Sequence, residues 1–449
     1  MSRLLLSCLA FVLALSLAGV AVADEFDEPP INYSTATPKN RVSELIDRLE
    51  RGEATVAGDS PVATLREILR ELKVPESSQT LVFSKTSLQR EKISPRTPRA
   101  IYFSDDVYVG FCQGSDVLEL SAVDSQLGTV FYTARFDSDP SKPAQSKPAQ
   151  SKPALPAEAR VAFQRQTENC LLCHASSANR EVPGHLVRSV YTDAMGLPVL
   201  SMGSHRIDQS SPLKQRWGGW YVTGTHGSQL HLGNLIVGSQ KQPEEIDNSA
   251  GQNVASLEKL LKTEPYLTPH SDLVALMVLE HQAQAHNYIA RASFQCRMAL
   301  HQQDRLNKEL NRPVDYEWDS TKSRIRSASE DLLRYLLYCD EAPLTGKLAG
   351  TSSFAEDFSA LGPRDPQGRS LRDFDLERRM FRYPCSYLVY SEAFEALPQP
   401  VKDHFWQRLW EIVSEQDKSE TFAHLSTADR QAIREILLAT KQNLPAYWK

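Results

Sequence analysis

The chain has 449 residues, with 50 Lys+Arg against 56 Asp+Glu and a formal charge of −6. No basic run is present that could track a phosphate backbone, which argues against nucleic acid as a partner. Seven cysteines are too few for a disulfide-built mini-scaffold, and the length predicts two or three domains with ordinary apolar cores.

Residues 1–23 combine Arg3, an apolar run from Leu4 to Val20 and the small-residue end Ala21-Val22-Ala23. This is the pattern of a secretory signal peptide cleaved before Asp24, and it predicts a periplasmic or secreted protein. No second apolar stretch reaches the ~20 residues needed to cross a bilayer, so stable membrane insertion is not expected. Export makes Cys8 part of the leader and leaves six cysteines.

Region 24–140 reads as α+β. After an extended lead-in through Pro29-Pro30, Val42, Leu45, Ile46 and Leu49 fall at helical spacing in Arg41–Arg51, with Gly52 as C-terminal cap. Ser60-Pro61 opens a second helix through Leu65, Ile68, Leu69 and Leu72. Short β-branched or aromatic runs then predict an antiparallel meander: Thr80–Phe83, Ala100–Phe103, Val107–Cys112, Val117–Leu120 and Thr129–Phe136. Residues 141–156 hold tandem Ser-Lys-Pro-Ala-Gln units, an extended linker or loop with no core of its own. Residues 157–245 form the candidate cofactor region. From 246 to 449 the pattern predicts a helical domain. Ser271 is the expected cap of a helix running to about Leu310, followed by helices at Ser323–Cys339, Leu371–Phe381, Val401–Glu415 and Ser426–Thr440. The expected class is α+β, mainly α.

The chemistry concentrates in Cys170-Leu171-Leu172-Cys173-His174. At this chain's Cys and His frequencies the pattern would arise by chance about 0.003 times, so it is a signal. Two cysteines three apart on a helical turn can each add to a vinyl group of haem, and the next residue then points its imidazole at the iron. A zinc half-site would need further ligands at knuckle spacing, and no second Cys-x-x-Cys exists. A thioredoxin-like site would need a βαβ setting that this region lacks. One motif predicts one covalent haem c, with Cys170 and Cys173 as thioethers and His174 as proximal ligand.

For the other axial position, Met195 and Met202 follow His174 at 21 and 28 residues, His185 and His205 at 11 and 31, and His226 and His231 at 52 and 57. Trp217–Asn234 carries five glycines, two tryptophans and paired histidines, as a backbone approaching a macrocycle closely would need. His226 and His231 are therefore candidates, and so is Met202, because thioether sulfur is a common sixth ligand. The competing interpretation is a glycine-rich turn region with ordinary hydrogen-bonded histidines. His281 shares an inward helix face with Met277 and Tyr288 and reads as a core histidine. Arg188 and Arg206 could pair with propionates, or simply be exposed. Of Cys112, Cys296, Cys339 and Cys385, at least one pair is expected to bridge in an oxidising compartment, with the partners open.

Taken together, Glu168-Asn-Cys-Leu-Leu-Cys-His174, Trp217-Gly-Gly-Trp-Tyr-Val-Thr-Gly-Thr-His-Gly and Phe381-Arg-Tyr-Pro-Cys-Ser-Tyr387 resemble large exported single-haem cytochrome c-like proteins. The resemblance implies haem attachment at Cys170 and Cys173 and iron ligation by His174, without assigning the distal ligand. The leading expectation is an electron carrier exchanging single electrons with a redox partner protein or small-molecule donor or acceptor. A haem enzyme (peroxidase or small-molecule oxidoreductase) with an open distal site, and a haem-based redox or gas sensor, are the alternatives.

Overall fold

The computed structural model describes residues 26–58, 60–136, 161–238 and 246–448. The leader (1–23) and the repeat segment (141–156) lie outside the described residues. The architecture is mixed α+β: a seven-strand antiparallel sheet in the N-terminal half and helices in the C-terminal half.

Local chemistry starts the first two helices. Asn40 accepts from the Val42 and Ser43 amides to open α1 (Arg41–Glu50), and Ser43 returns the bond to the Asn40 amide. Gly52, at φ 71°, turns the chain out of it. Ser60 caps α2 (Pro61–Glu71), with Pro61 in the first turn.

The strands follow the β-branched runs: β1 (Thr80–Val82), β2 (Arg99–Phe103), β3 (Val107–Phe111), β4 (Val117–Asp124), β5 (Gly128–Phe136), β6 (Val161–Gln166) and, much later, β9 (Trp220–Tyr221). Their order across the sheet is β6-β5-β4-β3-β2-β1-β9. β5 and β6 pair with each other, so residues 137–160 connect neighbouring strands of one sheet. β6 and β9 occupy its two edges, and residues 161–238 thus share the sheet with the N-terminal region.

Alternation gives the sheet two unlike faces. Ala100, Tyr102, Val109, Phe111, Leu118, Leu120 and Tyr132 form one apolar core with Val42 and Leu45 of α1 and Leu65, Ile68 and Leu69 of α2. The opposite face brings Ile101, Gly110, Glu119 and Thr133 into one cross-strand row and Phe103, Tyr108, Ser121 and Phe131 into the next. This half-polar face carries the candidate site. A two-strand ribbon, β7 (Arg188–Val190) with β8 (Ser204–Arg206), lies beyond it.

A 37-residue helix, α4 (Leu273–Glu309), begins the C-terminal half. Its cap is Asp272, which accepts from the Val274 and Ala275 amides. Ser271, the expected cap, instead accepts from the Leu81 amide and donates to the Tyr221 carbonyl, tying β1 to β9. Next come α5 (Asp319–Leu336), α6 (Phe354–Ala360), α7 (Glu392–Glu395), α8 (Gln399–Val413) and α9 (Thr427–Thr440). α9 opens with the expected Ser426/Asp429 capping box.

The helix expected over Leu371–Phe381 does not form. There the Asp373 carboxylate accepts from the Ser370 amide and Asp375 from the Glu377 and Arg378 amides, so side chains take the donors a helix would use. The Arg372 guanidinium lies over the Phe358 and Tyr387 rings, which holds the turn to the core.

Candidate functional site

Cys170 to His174 form a single helical turn, α3 (Leu171–His174). The Cys173 and His174 amides both donate to the Cys170 carbonyl, at 3.3 and 2.9 Å. Leu171 is buried in the sheet core and anchors the turn, while Leu172 is 81 % exposed. At spacings of three and four, Cys170, Cys173 and His174 share a side of the turn. Cys173 is exposed, Cys170 is partly buried and both thiols are free. Burial pushes the Cys170 thiol up to about 11, so it stays protonated at neutral pH.

The state of His174 is well defined. Its Nδ1 lies 2.9 Å from the Gly184 carbonyl oxygen. A carbonyl only accepts, so the ring proton sits on Nδ1 and the Nε2 lone pair is left over. Gly184 also donates its amide to the His174 carbonyl at 2.8 Å, clamping backbone and ring together. The ring packs against Phe131 at 4.8 Å. Burial holds its pKa below the ordinary imidazole value, opposed by the Gly184 bond, so the imidazole is neutral, as a metal ligand must be.

Under the turn, Arg99 of β2 reaches across Gly110 to Glu119 of β4, Nη2 to Oε2 at 2.7 Å. A Cβ at position 110 would fall on the Arg99 guanidinium, so glycine is what leaves room for it. The pair retains unmet capacity, since Arg99 Nε and Glu119 Oε1 are buried without a partner. Two thiols, a neutral histidine with a free Nε2, a flat ring and unsatisfied polar atoms below them fit a covalently held haem. Among the described residues no group of three His, Cys, Asp or Glu side chains is placed to hold a bare metal ion.

His185 is the histidine that the fold places near His174, though sequence spacing gave it no special weight. It packs on Tyr108 at 3.9 Å and near Phe131 at 6.2 Å. Both ring nitrogens are engaged, Nε2 with Ser121 Oγ at 2.8 Å and Nδ1 with Thr129 Oγ1 at 3.3 Å. Burial, with smaller contributions from His174 and His286, keeps it neutral.

The leading distal candidates, His226 and His231, are not brought to His174. His231 adjoins β9 through Asn234, whose amide donates to the Trp220 carbonyl. β9 is five strands from β5, the strand that touches His174. At ~4.8 Å per strand the separation is on the order of 20 Å. Donor atoms that share one metal ion would lie no more than ~4 Å apart, because each bond is ~2 Å long. His226 and His231 instead pack on each other at 4.6 Å. His226 Nε2 accepts from the Asn253 amide and His231 Nδ1 from the Gly233 amide, both at 3.0 Å. They are buried, hydrogen-bonded histidines of a glycine-rich turn region.

Met202 ends a 3-10 turn (Leu200–Met202) and is half-buried. It precedes β8, whose Arg206 reaches the Ser177 carbonyl just past His174 at 3.4 Å. Arg188 and Arg206 face each other across the β7–β8 ribbon, with Arg188 donating to Ser204 Oγ.

His281 is a core histidine. Gln209 holds Nδ1 at 2.6 Å, while Ser386 and Tyr338 meet Nε2 at 2.8 and 3.0 Å. The expected disulfide is also absent among the described residues: Cys112, Cys296, Cys339 and Cys385 are buried free thiols. Burial raises all four well above the ordinary thiol value, so they act as small apolar groups.

Compared with known proteins, the chain matches no family model, no curated protein and no solved structure.

Proposed function

We propose that the chain is an exported c-type haem protein, carrying one haem c on Cys170, Cys173 and His174 and passing single electrons between redox partners in the periplasm or outside the cell. The observation that carries this reading is the tautomer of His174. Its Nδ1 proton is committed to Gly184, and its Nε2 is free on the same helical turn as two free thiols.

When bound, the haem supplies an iron that cycles between Fe(III) and Fe(II). Gly184 orients the imidazole and raises its basicity as a ligand. Phe131 gives the site a flat apolar wall, and Leu171 seats the turn on the sheet. Leu172 and Cys173 remain at the surface, where a redox protein or small donor or acceptor can approach. Among the described residues no helix is long and apolar enough to cross a membrane. We read the chain as one of the large single-haem cytochrome c-like proteins that its three motif segments resemble.

One observation favours a second reading, a haem enzyme or sensor with an open sixth position. It is the separation of His226 and His231 from His174. The test is the absorption and magnetic circular dichroism spectrum of the exported chain, beside a C170S/C173S variant. A low-spin spectrum with a His/His or His/Met near-infrared band, unchanged by cyanide or CO, supports the carrier. A high-spin spectrum supports the second reading. Wild-type protein with no covalent haem overturns both.

A further inference from the structure

Tyr338 lies one residue past the C-cap of α5 with its backbone at φ 59°, a left-handed position that suits glycine and that a bulky residue rarely takes. The Cys339 amide donates to the Arg334 carbonyl at 3.0 Å, which closes the helix end around this conformation. The turn brings the phenol to His281 of α4, where its hydroxyl meets Nε2 at 3.0 Å and the two rings stack at 4.7 Å. Gln209 fixes the direction of that bond. Its Nε2 donates to the Tyr335 carbonyl, so its Oε1 faces His281 and accepts the Nδ1 proton at 2.6 Å. The other ring nitrogen is therefore a lone pair. The Tyr338 hydroxyl donates to it, and the Ser386 hydroxyl shares it at 2.8 Å. Both partners are fully buried. The neighbouring phenols meet no base: Tyr335 donates to the His281 carbonyl, Tyr387 donates to the Gln282 side-chain oxygen, and Tyr288 receives a bond from Arg180.

A phenol gives up an electron readily only when its proton leaves in the same step, because the radical cation that would otherwise remain is a very strong acid. We propose that Tyr338 and His281 form a buried proton-coupled redox site. Its co-reactant is a strong one-electron oxidant. The Tyr338 O–H bond breaks, the Nε2–H bond of His281 forms and one electron passes to the oxidant, so that a neutral tyrosyl radical and an imidazolium remain. Tyr335 stacks on the imidazole at 5.7 Å with the planes 2° apart, which offers the new positive charge a π face. A line of rings joins this pair to the Cys170–His174 turn. His174 packs on Phe131 at 4.8 Å, Phe131 lies 6.2 Å from His185, and His185 packs on Tyr108 at 3.9 Å. The Gln282 amide then bridges the Tyr108 and Tyr387 hydroxyls at 2.9 and 2.8 Å, and the Tyr387 ring lies 6.0 Å from His281. An oxidising equivalent that arises at the turn is thereby drawn into the interior, to the tyrosine that has a base. The chemistry of the pair goes beyond the haem reading and does not depend on it, because every group named belongs to the chain.

The test places the oxidant at the turn without haem. Cys173 is exposed and Cys112, Cys296, Cys339 and Cys385 are buried, so a thiol-reactive ruthenium polypyridyl complex added to the haem-free mature chain carrying Cys170→Ser labels Cys173. Flash oxidation of the complex to ruthenium(III) is followed by freeze-trapping and electron paramagnetic resonance. A tyrosyl signal is expected, at least tenfold longer-lived than radicals on the exposed Tyr316 and Tyr447, because a buried ring meets no coupling partner. Tyr338→Phe deletes one hydroxyl and should lower the long-lived signal at least tenfold, while Tyr335→Phe retains it. His281→Gln can still hydrogen-bond but cannot hold the proton, and should lower the signal as far with the melting transition in place. The unlabelled wild-type chain, oxidised by the same complex in solution, gives the same readout with the turn untouched. A long-lived signal undiminished by Tyr338→Phe or by His281→Gln, or the absence of one from both the labelled and the wild-type chain, would overturn the inference.

Discussion

Replacing Gly184 by alanine places a methyl group on the Asn287 side-chain oxygen. Asn287, on α4, is 1 % exposed and has no route to solvent. It clamps His185 from both sides, its Oδ1 accepting from the His185 amide at 3.0 Å and its Nδ2 donating to the His185 carbonyl at 2.8 Å. Displacing it forfeits two hydrogen bonds at about 1 kcal/mol each. Overpacking a dense interior adds about 1–3 kcal/mol. Gly184→Ala should therefore cost roughly 3–5 kcal/mol. Asn287→Ala removes the clamp and strands the His185 amide, while the His185 carbonyl keeps its bond from Asn179; the expected cost is about 2–3 kcal/mol. In the double variant the methyl group meets an emptied space. Adding Gly184→Ala to Asn287→Ala should then cost little, a coupling of about 2 kcal/mol or more in a double-mutant cycle. Denaturant unfolding of the four proteins at constant slope measures it. Because Gly184 also fixes His174, the single variant should shift the haem midpoint potential as well. Additivity within about 0.5 kcal/mol would refute the packing on which the clamp rests.

Three further outcomes are expected. His226→Gln and His231→Gln should leave the axial-ligand spectrum unchanged while costing about 1–3 kcal/mol of stability; a moved near-infrared band in either would refute the strand-order separation. Burial lowers His231 and His281 from 6.5 to about 3, so between those values the unfolded chain binds one more proton per histidine and stability rises with pH. Burial raises Glu280 and Glu341 from 4.5 to about 7, so there the native state holds the extra proton and stability falls with pH. The two pairs oppose each other from pH 4.5 to 6.5, and below pH 4.5 only the histidines of this set act, at about 1.4 kcal/mol per pH unit each. His281→Gln should flatten that acid branch in urea midpoints measured against pH, and an unaltered branch would refute the assignment. A chain truncated at residue 245 lacks Asn287, Glu280 and the Ala349 partner of Thr225, and should lose its cooperative transition and be cleaved rapidly in limited proteolysis; a protease-resistant fragment would refute this.

What was legible in the sequence was local. The Ser60-Pro61 start and the Ser426/Asp429 box depend on residues within three positions of each other, and the strand runs are intrinsically β-branched, so both survive without tertiary information. Cys170, Cys173 and His174 form one turn for the same reason. The Leu371–Phe381 segment has a helical apolar period, but the competition from Asp373 and Asp375 for its amides is not expressed in that period. For His226 and His231, distance along the chain from His174 carries no information about distance in space. β9 pairs with β1, some 140 residues earlier, and nothing near Trp220 announces it. The groups that finish the site are equally non-local: Arg99 and Glu119 meet only through strand register, and Gly184 meets Asn287 across about 100 residues.

That non-locality bears on why so long a chain surrounds one four-residue turn. Residues 171–238 form little regular structure, only short turns and strands of two or three residues. Backbone of this kind must find its hydrogen-bond partners elsewhere, and the C-terminal half supplies them. Gln209, itself on the irregular segment, donates to the Tyr335 carbonyl and accepts at its own carbonyl from the Ala342 amide. Thr225 bridges to Ala349, Gln229 donates to the Gly346 carbonyl and Arg216 is neutralised by Glu280. The polar stretch Glu280–Asn287 of α4, buried where a helix of this length would ordinarily bury only apolar groups, serves the same end. Gln282 and His286 bond the β2–β3 turn at Ser104 and Asp105, and Asn287 holds the loop that orients His174. The helical half is thus the frame that holds an irregular segment, and with it Cys170, Cys173 and His174, in fixed positions.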